Sequence, residues 1–384
     1  MSCTITGLFR AGAVGAAVLA LAACGGGGGG TSSTASGMGT LRVALTDAPA
    51  CGFDSVNVTV DRVRVNQSAD AADTDAGWSD IALSQPTKID LLSLSNGVLF
   101  SLGQTALPAG QYQQVRLVLA ANSGSGSPAN SVTPTGGAET ALQTPSAMQS
   151  GIKLISPFTV QPGTLVDLVL DFDACKSIVT LGNGRFLLKP VISVTPLQVS
   201  GTITGQLTTT ISGTAVTQAS VSAQKDGTVI RATVPSASGA YTLAPIDARS
   251  QPYDLVVTMS GAATSVVSSV PVTAGNTTNV PPISLTPTMS SSMGAVSGSV
   301  SPATALPATV RALQQVGSVP QVEVASTNTD GAGAYSLSAP KAAAWLAPYS
   351  ASTLSFSASG TANYTIEAKD AAGSTQTLPA DISA

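Results

Sequence analysis

Histidine is absent from this sequence of 384 residues. The chain therefore has no Ser-His-Asp or Cys-His nucleophile, no histidine metal ligand and no side chain that ordinarily titrates near neutral pH. This absence excludes many classes of enzyme, and the sequence contains no recognisable catalytic motif. We therefore predict that the protein is not an enzyme.

Charged and aromatic residues are also scarce, at 9% and 4% of the chain. Lysine and arginine together number 16 against 20 aspartate and glutamate residues, which leaves a formal net charge of -4. So few cations cannot form the basic surface that neutralises a phosphate backbone, and we predict no nucleic-acid partner. Small residues take their place, including 38 glycines. This composition is typical of short strands joined by tight turns.

An apolar run of 13 residues, Ala11–Ala23, has the length of a signal-peptide core and is too short for a membrane span of about 20 residues. It ends in the sequence Leu-Ala-Ala-Cys at Cys24, and six glycines follow. This segment resembles a bacterial lipobox, in which the cysteine is acylated and the peptide before it is removed. The resemblance implies a signal peptide at 1–23, an acylated Cys24 and a flexible Gly/Ser/Thr tether at 24–39.

The lipobox resemblance also implies a location. The protein is expected to be exported and anchored to a membrane of the cell envelope through the lipid on Cys24, because no other stretch is long and apolar enough to cross a bilayer. The residue after the cysteine is Gly25, which is not an acidic retention signal for the inner membrane. We therefore predict an outer-membrane or surface address.

The four cysteines divide according to this prediction. Cys3 lies in the leader and Cys24 is the lipid acceptor, so Cys51 and Cys175 remain as a pair in an exported chain. Disulfides persist in such proteins, and we predict that these two cysteines are bonded. The alternative is a pair of buried free thiols.

Alternating apolar residues after the tether predict β-strands. Leu41, Val43 and Leu45 share one face of the first such segment. A phase slip at Asp61-Arg62 predicts a β-bulge, and Asn183-Gly184 between two short apolar runs predicts a hairpin turn. No helical stripe appears, so this part of the chain is predicted to be an all-β domain, most simply a sandwich.

The same residues carry a family resemblance. The segments LRVALTDAPACGFDSVNVTVDRVRV, IDLLSLSNG, LPAGQYQQVRLVL and LVLDFDACKSIV, together with LLKPVISV, resemble the bacterial lipoprotein family called domain of unknown function 4382. The resemblance covers residues 40–198 and implies an exported β-rich domain, often lipid-anchored and often followed by small β-modules. It implies no activity. Within it, residues 121–150 form a Gly/Ser/Pro/Thr-rich insertion that we predict to be mobile or functional.

An internal repeat occupies the remainder of the chain. The motif SGTI at Ser200 is echoed by SGSV at Ser297, and GAYTL at Gly239 is echoed by GAYSL at Gly333. The similar spacing within each copy predicts two small β-sandwiches.

These copies, at 200–287 and 296–384, resemble the carboxypeptidase-regulatory-like, transthyretin-related modules of exported bacterial proteins. The second copy is divergent, with an apolar insertion at Ala342–Ala347, and residues 288–295 are expected to link the two. The resemblance implies non-catalytic spacers or adhesive surfaces. The predicted fold class is thus all-β and multi-domain, with Ig/transthyretin-like β-sandwiches after a signal peptide and a flexible Gly/Ser linker.

Carboxylates supply one candidate metal site. Alternate residues on one strand place three aspartates on the same side, and two more flank Cys51: Asp167, Asp171, Asp173, Asp47 and Asp54. If the disulfide forms, these side chains are drawn together and could bind Ca²⁺, which prefers oxygen ligands. The alternative is a solvated strand face with aspartates that cap turns. No other cofactor is expected.

The sequence as a whole predicts a lipid-anchored cell-envelope protein with a non-catalytic binding or structural role. Its partners are expected to be the membrane, through Cys24, and a polysaccharide or an envelope protein at the cell surface or in the periplasm. The alternative is a metal-dependent envelope enzyme that uses the carboxylates of Asp47, Asp54, Asp171 and Asp173.

Overall fold

The computed structural model describes residues 37–47, 52–124, 126–145, 150–301, 306–359, 361–370 and 372–382. The predicted signal peptide, Cys24 and Cys51 lie outside these residues. The described chain is almost entirely β-structure around three hydrophobic cores. We refer to residues 37–199, 200–292 and 293–382 as modules one, two and three. In this part of the chain no helix has the length and apolar character needed to cross a membrane.

The described residues of module one form twelve strands, one short helix and three 3₁₀ turns. The strands are β1 (Met38–Asp47), β2 (Phe53–Asn66), β3 (Ser79–Asp90), β4 (Phe100–Pro108), β5 (Gly110–Leu119), β6 (Ser131–Pro134), β7 (Thr140–Gln143), β8 (Ile152–Val160), β9 (Leu165–Phe172), β10 (Ile178–Thr180), β11 (Phe186–Leu188) and β12 (Ile192–Pro196). The helix is α1 (Ala174–Ser177), and the 3₁₀ turns are Leu91–Leu94, Gly182–Gly184 and Leu197–Val199.

Two sheets enclose the core of module one. One sheet has the order β12-β9-β1-β4, and the other has the order β10-β11-β7-β6-β2-β5-β8 with β3 beside β2. Leu41, Val43 and Leu45 are fully buried between them, because period-two alternation turns one side of β1 inward. The predicted all-β sandwich is therefore confirmed.

Local features of module one also follow from the sequence. The ladders on both sides of β2 shift register between Val60 and Arg62, as the phase slip predicts. β10 and β11 form the predicted hairpin. Asn183 and Gly184 both have positive φ in its turn, at 63° and 68°, a backbone that asparagine and glycine tolerate best.

The 121–150 insertion contains structure that its composition does not reveal. β6 and β7 pair within it, and β6 joins the sheet beside β2. Val132 and Leu142 are fully buried, and the side-chain amide of Asn130 donates to the Ala120 carbonyl at 2.7 Å. Each strand has only four residues, which is too short to establish a period-two pattern.

Module two contains eight strands: β13 (Ser200–Thr209), β14 (Ser220–Lys225), β15 (Thr228–Thr233), β16 (Ala240–Asp247), β17 (Tyr253–Thr258), β18 (Ser265–Val270), β19 (Thr277–Asn279) and β20 (Ile283–Leu285). Its 3₁₀ turns are Val216–Gln218, Ala248–Ser250 and Pro287–Met289. Module three contains β21 (Met293–Ser299), β22 (Thr309–Gln314), β23 (Val322–Asn328), β24 (Ala334–Pro340), β25 (Ala344–Pro348), β26 (Ser357–Ser359), β27 (Asn363–Lys369) and β28 (Thr375–Asp381). β21 thus begins inside the predicted 288–295 linker.

Modules two and three share a sheet. Its order is β15-β14-β17-β18-β25-β26, so the last two strands come from module three. The apolar insertion Ala342–Ala347 contributes to β25, and Trp345 on it packs against the core of module two. Val256 and Val266 point from the other face of this sheet into the core of module three. The shared sheet consequently separates two cores.

The remaining strands complete the two modules. β16, β13 and β19 form a second sheet of module two, with β20 also paired to β13. In module three, β21 pairs with β24, and β23-β22-β27-β28 form the outer sheet.

The structure corrects the alignment of the two repeats. Tyr241 lies opposite Gly205, and Tyr335 lies opposite Gly298. In both pairs the tyrosine ring occupies the space where a glycine Cβ would stand, so only glycine permits this close approach. Gly298 therefore corresponds to Gly205. The SGTI and SGSV motifs instead align Gly298 with Gly201, four positions earlier.

Replacing Trp345 with alanine tests the strand contributed by module three. We expect a loss of about 2 kcal/mol in the free energy of unfolding of the protein, because a partly buried aromatic side chain is removed from the core of module two. Native-state hydrogen exchange, which detects local opening apart from global unfolding, should show the largest loss of protection at the β17 and β18 amides. Tyr335→Ala is the matched control, since Tyr335 packs against the core of module three. Unchanged exchange in β17 and β18 would contradict the assignment of Trp345 to that core.

Candidate functional site

Two of the five candidate aspartates are engaged away from the others. The Asp167 carboxylate receives two hydrogen bonds from the Arg42 guanidinium, of which the Nη2–Oδ2 contact measures 2.8 Å. The Asp54 carboxylate accepts a hydrogen bond from the backbone N–H of Gly136 at 3.1 Å. Both groups thus have local partners within module one.

The other three aspartates lie near the junction between β9 and α1. Asp47 accepts a hydrogen bond from the Ala174 N–H at 2.9 Å. Asp173 caps α1 by accepting from the Lys176 N–H at 3.0 Å. Asp171 is buried and forms an ion pair with Arg231 of module two.

This arrangement does not favour the metal-site hypothesis, which stays a prediction. Among the described residues, which include all five aspartates, no three His, Cys, Asp or Glu side chains form a group that could hold a metal ion. Each carboxylate already contacts an arginine or lysine side chain or a backbone N–H group. The alternative of a solvated strand face fails at Asp171, because module two covers it.

A network of charged side chains joins the three modules at this place. We call it the junction network, and it consists of Asp171, Asp173, Lys176, Arg231, Arg311, Glu323 and Glu367. The first three belong to module one, Arg231 to module two, and the last three to module three.

The contact of module one with module two centres on Asp171 and Arg231. Their side chains are only 8% and 3% exposed. The Arg231 guanidinium also donates to the Pro245 carbonyl through Nε at 3.3 Å and Nη2 at 3.1 Å. Because a buried charge is costly unless it is paired, these partners make burial of the arginine possible.

Module one meets module three through Lys176. Its Nζ lies 2.8 Å from Glu323 Oε1 and 3.7 Å from Asp173 Oδ2. The side-chain amide of Asn328 donates to the carbonyls of Lys176 at 2.7 Å and Ile178 at 3.1 Å. Side-chain and backbone contacts therefore act together at this interface.

Glu323 also connects module three with module two. Its backbone N–H donates to Gln224 Oε1, and its carbonyl accepts from Gln224 Nε2, both at 2.8 Å. Arg311 Nη1 lies 3.1 Å from Glu323 Oε2 and donates to the Gly227 carbonyl at 2.9 Å. The Arg311 guanidinium contacts Glu367 Oε1 as well, at 2.5 Å from Nη2. Glu323 thus contacts all three modules.

Burial and charge shift the pKa values of the network in a consistent way. Burial raises the pKa of Asp171 to about 6, although the nearby Arg231 opposes the increase. Burial likewise raises the pKa of Asp173, against the attraction of Lys176. For Lys176, burial lowers the pKa, but the Glu323 and Asp173 carboxylates outweigh this effect and the net pKa is raised. The ammonium therefore remains protonated and is a poor nucleophile.

A cleft of about 270 Å³ opens beside the network. Asp173, Lys176 and Glu323 contribute to one part of its wall, and Ser220 and Ser326 contribute hydroxyl groups. The arrangement supplies hydrogen-bond donors and acceptors. Its lysine and carboxylates are already paired with one another.

Cys175 also lines this cleft. It is not a free thiol, and its predicted partner Cys51 lies outside the described residues. The Cys51–Cys175 pairing stays a prediction, as do the removal of Cys3 with the leader and the acylation of Cys24.

Sequence reasoning identified Asp171 and Asp173 as unusual but missed the residues that pair with them. Arg231, Arg311 and Glu323 come from strands of other modules, and no local pattern links them to β9. One signal was present: each is a charged residue within a strand of a chain that is only 9% charged.

The fold and the junction define a multi-domain β-sandwich protein. Residues 38–190 match the family described as domain of unknown function (DUF4382), and residues 202–286 match the carboxypeptidase regulatory-like domain. The chain thus carries a DUF4382 domain followed by a carboxypeptidase regulatory-like domain, which confirms the resemblances of residues 40–198 and 200–287. The same resemblance for the copy at 296–384 stays a prediction. No curated protein matches the chain.

Among solved structures, the chain is similar to the Bacillus anthracis TIE protein at 11% identity and a TM-score of 0.17, over 90% of this chain and 48% of that one. It thus spans about half the length of the TIE protein. GBS52, the minor pilin of Streptococcus agalactiae, matches at 10% identity and a TM-score of 0.18, over 64% of this chain and 95% of the pilin. BcpA, the major pilin subunit of Bacillus cereus, matches at 9% identity and a TM-score of 0.12, over 89% of this chain and 94% of BcpA.

The raised pKa of Asp171 makes a specific prediction about pH. Because folding raises this pKa above the usual value of about 3.9, the folded state binds the proton more tightly than the unfolded state does. The resulting stability is fully present below about pH 4 and is lost as the pH rises through 6. In urea titrations, we expect the free energy of unfolding of the wild type relative to Asp171→Asn to fall by on the order of 3 kcal/mol between pH 4 and 7.

Arg231→Met is the matched comparison for this experiment. It removes the cation that lowers the pKa of Asp171, so the same pH dependence should become larger. A wild type and an Asp171→Asn variant with parallel pH profiles would show that Asp171 does not titrate in this range.

Proposed function

We propose that this protein is a lipid-anchored protein of the bacterial cell envelope with a non-catalytic structural or binding role. The observation that carries the proposal is the use of its buried charges: Asp171, Lys176 and Glu323 pair across module boundaries. These acidic and basic side chains are of the types that act in catalysis, but here they hold the β-modules together. The two matched domain families, neither of which is described by a reaction, support the same role.

The membrane anchor is part of this proposal. The Leu-Ala-Ala-Cys motif at Cys24 and the glycine run after it are typical of an acylated terminus followed by a flexible spacer. The tether would place the folded modules outside the headgroup region, where a polysaccharide or an envelope protein can reach them. We assign the outer membrane as the address, because Gly25 follows the acylated cysteine.

Cell fractionation of cysteine variants tests the anchor. Wild-type protein should sediment with membranes, whereas Cys24→Ser should be released into the soluble fraction, because it has no acceptor for the lipid. Cys3→Ser, which alters only the leader, is the matched control and should behave like the wild type. Membrane-bound Cys24→Ser protein that has lost its leader would refute the lipid anchor. Protease treatment of intact cells separates surface exposure from periplasmic exposure in the wild type.

The Cys51–Cys175 disulfide is a further part of the proposal, and mass spectrometry after alkylation tests it. In the Cys3→Ser, Cys24→Ser double variant, both remaining cysteines should resist alkylation until a reductant is added. Reduction should then lower the free energy of unfolding by roughly 4–5 kcal/mol, because the unfolded chain regains the conformational entropy that closing a loop of this length removes. Alkylation of either cysteine without reductant would contradict the pairing.

A further inference from the structure

The cleft beside the junction network draws its walls from all three modules. Module one contributes Asp173 and Lys176, module two contributes Ser220 and Thr258, and module three contributes Ser326 among others. A ligand in this position would contact every module at once. Its volume of about 270 Å³ is slightly below the roughly 300–1,000 Å³ of sites for drug-sized molecules, which indicates a smaller ligand.

The hydroxyl groups of this cleft are available to a ligand. Within the described part of the chain, the side chains of Ser220, Thr258 and Ser326 make no hydrogen bond to protein, and each is partly exposed. β14 and β17 pair Ser220 directly with Thr258, so their positions are fixed by the ladder. These groups form a preset row of donors and acceptors.

Apolar side chains alternate with the hydroxyl groups in the cleft wall. Val229 and Ala232 come from module two, and Val324 and Ala325 come from module three. A wall of this kind accommodates C–H groups while the hydroxyls bind polar atoms. The ligand that fits such a surface carries hydroxyl groups on a compact carbon skeleton.

The charged end of the cleft argues against an ionic ligand. An anion would approach the Asp173 and Glu323 carboxylates, and a cation would compete with Lys176, which already pairs with both. A hydroxyl group, in contrast, can donate to a carboxylate and accept from the ammonium at the same time. The site thus favours a neutral ligand.

We propose that this cleft binds a neutral polyhydroxylated ligand, namely a single sugar residue, and that it is the carbohydrate site of the protein. The inference rests on the binding role in the proposed function and names the chemical class of its ligand. None of the described residues that line the cleft has an aromatic side chain. Binding therefore depends on hydrogen bonds and is expected to be weak and sensitive to the loss of single hydroxyl groups.

Isothermal titration of the full-length protein, in a detergent without a sugar headgroup, tests the proposal. The probes are glucose, galactose, mannose and N-acetylglucosamine, with glucosamine and glucuronate as charged counterparts. At least one neutral sugar should bind, more tightly than either charged one. A longer oligosaccharide of the same sugar shows whether the ligand is the end of a glycan or a free sugar. If the cleft binds the end of a glycan, the oligosaccharide should bind as tightly as the free sugar or more tightly. If only a free sugar can enter the cleft, the oligosaccharide should not bind.

Serine variants locate the binding. Ser220→Ala combined with Ser326→Ala should weaken binding of that sugar by about tenfold or more, since each lost hydrogen bond is worth about 0.5–1.5 kcal/mol. Ser284→Ala, an exposed serine on β20, is the matched control and should bind like the wild type. Circular dichroism confirms that each variant is folded.

Three outcomes would overturn the proposal: no neutral sugar binds the folded protein, a charged sugar binds more tightly, or the double variant binds like the wild type. These results leave membrane fractionation of the Cys24→Ser variant unaffected. Failure of the sugar site is therefore distinguishable from failure of the lipid anchor.

Discussion

Ion pairing between modules is the constraint that arranges this protein. Asp171 is buried in module one, and its cationic partner Arg231 belongs to module two. Removal of one partner from such a pair typically costs about 3–5 kcal/mol, because the other charge is left buried and unpaired. The pair therefore gives little net stability over an apolar contact, but it strongly disfavours any arrangement in which the modules dock differently. Glu323 extends the same constraint to module three, since it pairs with Lys176 and is hydrogen-bonded to Gln224.

A second form of coupling comes from the backbone. β25 and β26 of module three complete the sheet of module two, and the two faces of that sheet contact different cores. Neither module can be separated without exposing apolar surface such as Val256 and Val266. Backbone pairing and charge pairing thus favour the same arrangement, and together they form the three-module cleft in which a ligand could contact all the modules.

The sequence predicts most of the fold and little of the site, for identifiable reasons. The alternation of Leu41, Val43 and Leu45 indicates that one face of a strand is buried, so local spacing is sufficient to predict β1 and its inward face. For Asp171, the alternation along β9 predicts only that the side chain lies on the face opposite the core of module one. The sequence pattern is the same whether solvent or another module covers that face, and the partner Arg231 lies sixty positions along the chain. Repeat alignment failed at Gly298 for a related reason: short motifs of small residues recur by composition, whereas the tyrosine–glycine contact fixes the true register.

Through their shared contacts the three modules are expected to unfold as one cooperative unit. Differential scanning calorimetry of the intact protein at neutral pH measures this cooperativity as the ratio of calorimetric to van't Hoff enthalpy. We expect a single transition with a ratio near unity, since no module can unfold without breaking the junction network or the shared sheet. Separate transitions for modules one, two and three, each with its own enthalpy, would contradict it.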